Sequence, residues 1–481
     1  MSCLDAKKTI ISLVFFLSAF FTVSIFNGCD DSVNADEQVE TSQDEPSSSV
    51  KKSSSSSAKS SSSSVKKSSS SSAKSSSSNK SSSSSKVRYH DSFKPNDKEY
   101  PYAGLPRIVI ETEYQKKVED RETEIPAKLQ IWGEKKEESE ILDLTIRGRG
   151  NISWTKMPKK SYKIEFEKKQ SMLDMPKDKD WALIANYADK SLMRNYIAYK
   201  LSSSLDAFYS PRSAFVELYL NSEYLGVYLL TEKIKIAKER VNIAKDDYSY
   251  IVEVDEKYKE DEQVIFSDVL TEKKPFRIHE PKDASTASLD TIQNRIQNFE
   301  KFLKTLDSEN EGDLEKWMDI EESVKHYWVQ EFANNPDADF STSVFFVWVK
   351  GEPLKMGPVW DFDLAFGNHP KTYLNYFDEW HIRPSYWNSA LFKSKMYSDA
   401  ANQFWISNRD LFAGVLDSID KCQEKLKKSA ENNFKRWDIL SDTTSLGYSK
   451  PFDSYKDAVK DLKNWIKNRI QWFDGQIKKE D

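Results

Sequence analysis

The sequence predicts an α+β fold in two parts, a β-rich part and then a mainly helical one, behind a long low-complexity leader. Three observations predict it. Between about residues 100 and 255, apolar and polar residues alternate over short runs, the period of half-buried strands. After about residue 285 the apolar period lengthens to that of amphipathic helices. Ser47 to Lys86 is almost entirely Ser and Lys, with eight Lys and no acid, so it has nothing to bury and is expected to stay disordered. The 481 residues include 13 Trp, 22 Tyr and 26 Phe, enough bulk for a large core despite a net charge of -6.

The leader comes first. Lys7 and Lys8 precede an apolar run from Ile10 to Phe26, a basic start and short hydrophobic stretch that predict an export signal over 1–28. The run is marginal for a transmembrane span of about 20 residues. Gly28-Cys29 at its end resembles a bacterial lipoprotein signal, which implies lipidation of Cys29 and an exported chain held at the cell envelope through that lipid alone. The other cysteines are Cys3, inside the signal, and Cys422, read as a packing residue, so the mature chain has no internal disulfide to form. Residues 29–95 read as a tether. Its Val50-Lys51-Lys52 block returns as Val65-Lys66-Lys67, a linker duplication rather than a solenoid repeat.

The β-rich part is placed at 96–258. Strands are predicted at Leu105–Thr112, Ile125–Trp132, Ile141–Arg147 and Lys159–Glu167. The last alternates cleanly, with Tyr162, Ile164 and Phe166 on one face and Ser161, Lys163 and Glu165 on the other. Between the third and fourth strands lies the Gly-rich loop Arg147-Gly148-Arg149-Gly150-Asn151. Such a turn can bring backbone N–H groups close to phosphate oxygens, and Lys160 or Lys163 could neutralise the phosphate charge. Asp189 to Leu201 reads as a helix with Asp189 as its N-cap. Ala214–Leu220 and Tyr224–Leu230 form a hairpin, and Tyr250–Val254 is a further strand.

The helical part is placed at 259–481. Leu289–Leu306 and Asp319–Phe332 are amphipathic, and Asn334-Asn335-Pro336 ends the second helix. An apolar run from Ser343 to Lys350 predicts a strand, and Gly351-Glu352-Pro353 a turn. A hairpin then delivers Asp361 and Asp363 to its end, on one strand face, where both carboxylates could reach one hard cation. An aromatic loop follows, and helices run to Trp472.

Ordered blocks along the chain resemble the spore-coat-protein-H (CotH) kinase family. They are Arg147-Gly-Arg-Gly-Asn151, Pro158-Lys-Lys-Ser-Tyr-Lys163, Asp180-Trp181, Ala185-Asn-Tyr187, Ser191 to Asn195, Ser210-Pro-Arg212, Gly226 to Lys233, Asn335-Pro-Asp337 and Pro358 to Gly367. The resemblance implies an atypical protein-kinase-like fold of two lobes that uses ATP and Mg²⁺ or Mn²⁺. It implies Asp361 as the metal-binding aspartate, with Asp363 beside it, and Asp337 as the catalytic aspartate. Lys160 or Lys163 would pair the phosphates, Arg147 to Asn151 would cover the nucleotide, and Glu217 or Glu232 would be the acidic partner of the lysine. Thr342 stands where typical kinases carry a second metal-binding Asn, so Asp363 substitutes or one metal suffices. The expected acceptors are Ser-rich surface or secreted proteins, the tether of this chain among them.

The alternative is a catalytically weak or inactive surface module that uses the aromatics from Trp360 to Trp387 on cell-wall polysaccharide or a protein partner. A phosphotransferase for sugars is a third reading. No nucleic-acid partner is expected, and the five His show no HExxH spacing for a zinc hydrolase.

Overall fold

Seven strands close into a barrel: β1 (Arg107–Thr112), β2 (Ile125–Trp132), β3 (Leu142–Arg149), β4 (Ser161–Met172), β5 (Met175–Ile184), β6 (Ser213–Leu220) and β7 (Glu223–Glu232), in the order β1-β2-β3-β4-β5-β7-β6. Neighbours are antiparallel except at the closure, where β6 runs parallel to β1 with Ile108 opposite Leu218. Closure leaves no strand edge open. The alternating residues fill the interior: Ile108, Ile110, Leu129, Ile146, Ile164, Trp181, Leu218 and Tyr228 pack together there. The β6–β7 corner is two residues, Asn221 and Ser222, both at positive φ, as a tight hairpin of right-twisted strands requires. These facts come from a computed structural model in which residues 89, 93–271, 273–443 and 450–480 are described. The expected signal segment, Cys29 and the tether lie outside them.

A second sheet follows, with strands β8 (Ser249–Val254), β9 (Val264–Ser267), β10 (Lys274–Glu280), β11 (Val344–Val349) and β12 (Lys355–Met356) in the antiparallel order β12-β11-β8-β10-β9. The strand at Tyr250–Val254 therefore belongs with this sheet and not with the strands before it, because β10 and β11 complete its hydrogen bonds. Helices α3 (Thr286–Lys304) and α4 (Ile320–Ala333) fall between β10 and β11. Their N-termini are capped by Ser285 and Asp319, whose side chains accept from Ser288 N and Glu322 N. Helix α4 ends at Asn334 in the left-handed region, just before Pro336, so the Asn-Asn-Pro break falls where the sequence places it. Two shorter helices, α1 (Ile152–Thr155) and α2 (Arg194–Ser204), lie within the β-rich part. Helices α5 (Tyr386–Leu391), α6 (Lys395–Ala413), α7 (Val415–Arg436) and α8 (Tyr455–Glu480) make the C-terminal part helical. Among the described residues no helix is long and apolar enough to cross a membrane.

Helix α2 begins five residues later than the sequence predicts. Leu192 takes positive φ, which a helix cannot continue through. Asp189 still serves the helix start from a distance, accepting from Ser191 N at 2.9 Å and Arg194 N at 2.8 Å. Two buried polar contacts hold the helices in place. The Asn433 carboxamide oxygen on α7 accepts from Val227 N at 3.1 Å and from Lys159 Nζ at 2.9 Å, which fixes α7 across β7. This oxygen lies 2.4 Å from where a Cβ at residue 226 would sit, so Gly226 is required there. Arg469 on α8 donates to the Glu331 carboxylate at 2.8 Å, with both side chains fully buried. Cys422 is a free, buried thiol on α7 whose pKa burial raises to about 11, as a packing residue's would be.

Candidate active site

A cavity of about 360 Å³ opens between the outer face of the barrel and the second sheet. Strand alternation decides what reaches it. On β4, Tyr162 and Ile164 point into the barrel, so Ser161, Lys163 and Glu165 point outward. Arg147 lies opposite Lys163 and Arg149 opposite Ser161 on β3, while Ala182 and Asp180 on β5 lie opposite Lys163 and Glu165. Arg147, Arg149, Gly150, Asn151, Ser161 and Lys163 all line the cavity. The loop is clasped from outside by Arg121, which donates to Gly150 O and Asn151 Oδ1, both at 2.8 Å. Gly148 packs beneath the loop, where a Cβ would meet Trp154 at 2.5 Å and Asp120 O at 2.6 Å.

Alternation also removes three expected residues from the site. Lys160 shares the parity of Tyr162; its Nζ donates to Trp154 O and lies over the Trp154 ring. Glu232 is opposite Trp181, on the side away from the cavity, and its buried carboxylate is held by Arg212, Arg240 and Tyr209. Glu217 accepts from Tyr224 OH at 2.6 Å, also away from the cavity. The acidic partners of Lys163 are instead Glu124 at 3.0 Å, Glu165 at 2.6 Å and Asp180 at 3.8 Å.

The carboxylates arrive from the opposite wall. Asp337, in the 3-10 turn Pro336–Ala338 after α4, Asp361 and Asp363 all line the cavity. The latter two are not on a strand, as the sequence suggested, because β12 stops at Met356 and residues 357–367 form a loop. Asp361 sits there at φ +61°, a conformation that non-glycine residues hold only when their surroundings impose it. Those surroundings are side chains from two helices. Asn195 on α2 accepts from Phe362 N at 2.7 Å, and Asn335 after α4 donates to Asp361 O at 3.2 Å. Arg194, paired with Asp189, donates to Ala365 O at 3.0 Å. Tyr199 stacks on Trp360, with ring centroids 5.8 Å apart.

The three aspartates crowd one another. Burial, then the neighbouring Asp361, pushes the Asp337 carboxyl up to about 6. Burial, then Asp361 and Asp337, raises Asp363 well above the usual carboxylate range. Burial raises Asp361 too, against the opposing pull of Arg149 and Lys257. Arg149 crosses the cavity and lies over the Trp360 ring at 5.4 Å. A surplus of negative charge on hard oxygen donors is what a divalent cation would relieve, so Asp361 and Asp363 fit one. Among the described residues, no three His, Cys, Asp or Glu side chains gather as a complete protein ligand set. A cation here would take its remaining ligands from phosphate and water, the usual habit of Mg²⁺. Thr342 is already committed, its hydroxyl donating to Asp255 Oδ1 at 3.0 Å.

Asp255, Lys233, Lys257 and Arg277 also line the cavity and were not singled out from the sequence. Lys233 was within reach of it, since a residue one past Glu232 must face the other way. The others depend on how β8 and β10 pair. Of the aromatic run, Trp360, Phe362, Phe366 and Trp387 are buried, Trp380 and Tyr386 are half-buried and Tyr373 is exposed.

Fold and cavity together define an α+β protein in which a basic sheet face opposes three clustered aspartates. A family model described as CotH kinase protein matches residues 146–473. The chain belongs to this family, and membership supports a kinase-like, phosphoryl-transferring function. Among curated proteins nothing matches the chain.

Proposed function

We propose that this protein is an ATP- and divalent-metal-dependent phosphotransferase of the two-lobe, protein-kinase-like kind, acting on Ser or Thr hydroxyls of secreted or surface proteins. The observation that carries it is the meeting of Asp337, Asp361 and Asp363 with Arg149 and Lys163 around one cavity of about 360 Å³. In phosphoryl transfer the protein mainly positions groups and neutralises charge. Asp361 and Asp363 would hold Mg²⁺ or Mn²⁺, which when bound supplies charge neutralisation at the phosphate oxygens. Lys163 and Arg149 hold the phosphates from the barrel side. Asp337 accepts the proton of the acceptor hydroxyl as its oxygen bonds to the terminal phosphorus and ADP departs with the cleaved P–O bond. Its pKa of about 6 leaves it ionised at neutral pH and basic enough for that task.

The acceptor class follows from composition. The Ser/Lys segment 47–86 offers many serines on the same chain, and covalent attachment gives an effective concentration of order mM. With the export signal and Cys29 lipidation read from the leader, the setting is the cell envelope, and neighbouring Ser-rich surface proteins are the acceptors in trans. Incubating the full chain with γ-labelled ATP and Mg²⁺ or Mn²⁺ tests the activity. Label on the chain or on a Ser-rich acceptor is expected, and none in an Asp361→Ala control. No metal-dependent transfer to any hydroxyl acceptor overturns the reading. Peptide mass mapping of 47–86 tests the tether; an active enzyme that leaves it unmodified rules out that acceptor.

A further inference from the structure

Lys233 follows the last residue of β7 and lines the cavity, half-buried. Register places it. Glu232 is opposite Trp181 and Thr231 is opposite Ala182, so Lys233 continues the outward face that carries Asp180, Ala182 and Lys163. Lys163 and Lys233 thus stand on one sheet face with β5 between their strands, about 10 Å apart across two strand spacings. Their surroundings differ. Lys163 is met by three carboxylates. Arg277 across the cavity is met by Glu253, Glu262 and Asp255. Lys235, two residues on, is paired with Asp178 and Asp180. Lys233 makes no hydrogen bond or ion pair among the described residues.

Resting on the kinase reading above, we infer that Lys233 is a second phosphate-chain ligand of the cleft, gripping the nucleotide from β7 while Lys163 grips it from β4. A half-buried ammonium with no partner is a costly arrangement unless a ligand supplies the missing anion. The groups facing it are Asp180 on β5, Lys163 on β4, Arg149 on β3, Lys282 after β10 and the His279 imidazole on β10, which burial keeps neutral, so one acid stands against three cations. Burial, only partly offset by Asp180, pushes Lys233 down to about 7. The sign of the linkage follows. At pH 8 the empty cleft holds Lys233 largely neutral, and a bound polyphosphate draws a proton onto it. Affinity therefore falls as pH rises above about 7.

The test is calorimetric titration of the full chain with a non-hydrolysable ATP analogue and Mg²⁺ at pH 8, in two buffers of different ionisation enthalpy. Proton uptake approaching one per nucleotide is expected in the wild type. It should be absent in Lys233→Arg, which keeps the charge at every pH used. Lys233→Met should bind at least about tenfold more weakly, with an unchanged melting temperature in the absence of nucleotide, because no protein contact is lost. Binding by Lys233→Met within twofold of wild type, or wild-type binding without proton uptake, overturns the inference while the kinase reading stands. A wild type that binds no nucleotide at any pH overturns the kinase reading and this inference with it.

Discussion

The two walls of the cleft are built by opposite means. The basic wall is regular sheet: strand parity turns Arg147, Arg149 and Lys163 outward on β3 and β4, and Lys233 continues that face just past β7. The acidic wall is a loop without regular structure, in which Asp361 takes a left-handed backbone and is held by Asn195 and Asn335 from two helices. Cations that steady a flexible phosphate chain tolerate the spread of long side chains. Carboxylates that are to fix an ion and a proton transfer, as proposed for Asp361, Asp363 and Asp337, would not, and Asp361 is set on a backbone held by tertiary contacts.

The largest effect should come from the acidic wall. Asp361→Ala is expected to reduce transfer to below about one thousandth, since the ion's charge neutralisation goes with it. Asp361→Asn, which tolerates the left-handed backbone better than Ala, should lose transfer to a similar degree without a fall in melting temperature. Transfer within tenfold of wild type would remove Asp361 from the metal site.

Asp337→Asn should cost about 10²–10⁴ in transfer while nucleotide affinity is kept, because a general base acts on the acceptor. The wild-type rate should rise with pH through about 6, the value to which burial and Asp361 push this carboxyl from 3.8. Below it, Asp337 carries its proton and cannot accept another. The residual rate of the variant should be flat over that range. A wild-type profile with no inflection there would assign the base elsewhere.

Asn195→Ala asks whether the strained loop matters as a positioning device. Phe362 N loses its acceptor, a change of about 1–3 kcal/mol in stability, and kcat should drop about tenfold as the carboxylates lose their fixed geometry. Asn195→Asp keeps an acceptor but loses the donor to Asn186 Oδ1 and adds a buried charge, so it should not recover the rate. The smallest effect belongs to Lys160→Met, at a position outside the cavity next to the basic wall. Its ammonium meets only the Trp154 carbonyl and ring, so nucleotide affinity should stay within about twofold.

The same contrast explains what could be read in advance. Strands β1 to β4, β6 and β7, the break before Pro336 and the face that Lys163 shares with Ser161 follow from period and local turn chemistry; β5, which the sequence shows only as a short apolar segment from Trp181, does not. Glu232 was misplaced although β7 is a clear strand, since parity with Trp181 appears only once β5 is known as its neighbour. The apolar run and turn before Asp361 and Asp363 suggest a hairpin with both on one strand face, whereas β12 ends at Met356. What sets them is Asn195, more than 160 residues earlier, and no local pattern carries that.

Arg469 gives the site a schedule. It sits fully buried on α8, binds the Glu331 carboxylate, and donates to the carbonyls of Phe377 and Glu379. Glu331 in turn receives the backbone N–H groups of His381, Ile382 and Arg383, and its helix leads directly into Asn334, Asn335 and Asp337. A chain that has not yet reached residue 469 holds this carboxylate buried without its counter-charge, a defect of about 3–5 kcal/mol. Synthesis runs from the N-terminus, so the barrel with its cations can form early while the turn that carries Asp337 waits for α8, the last described helix. A C-terminally clipped chain that lacks α8 would carry the basic wall without a settled acidic one.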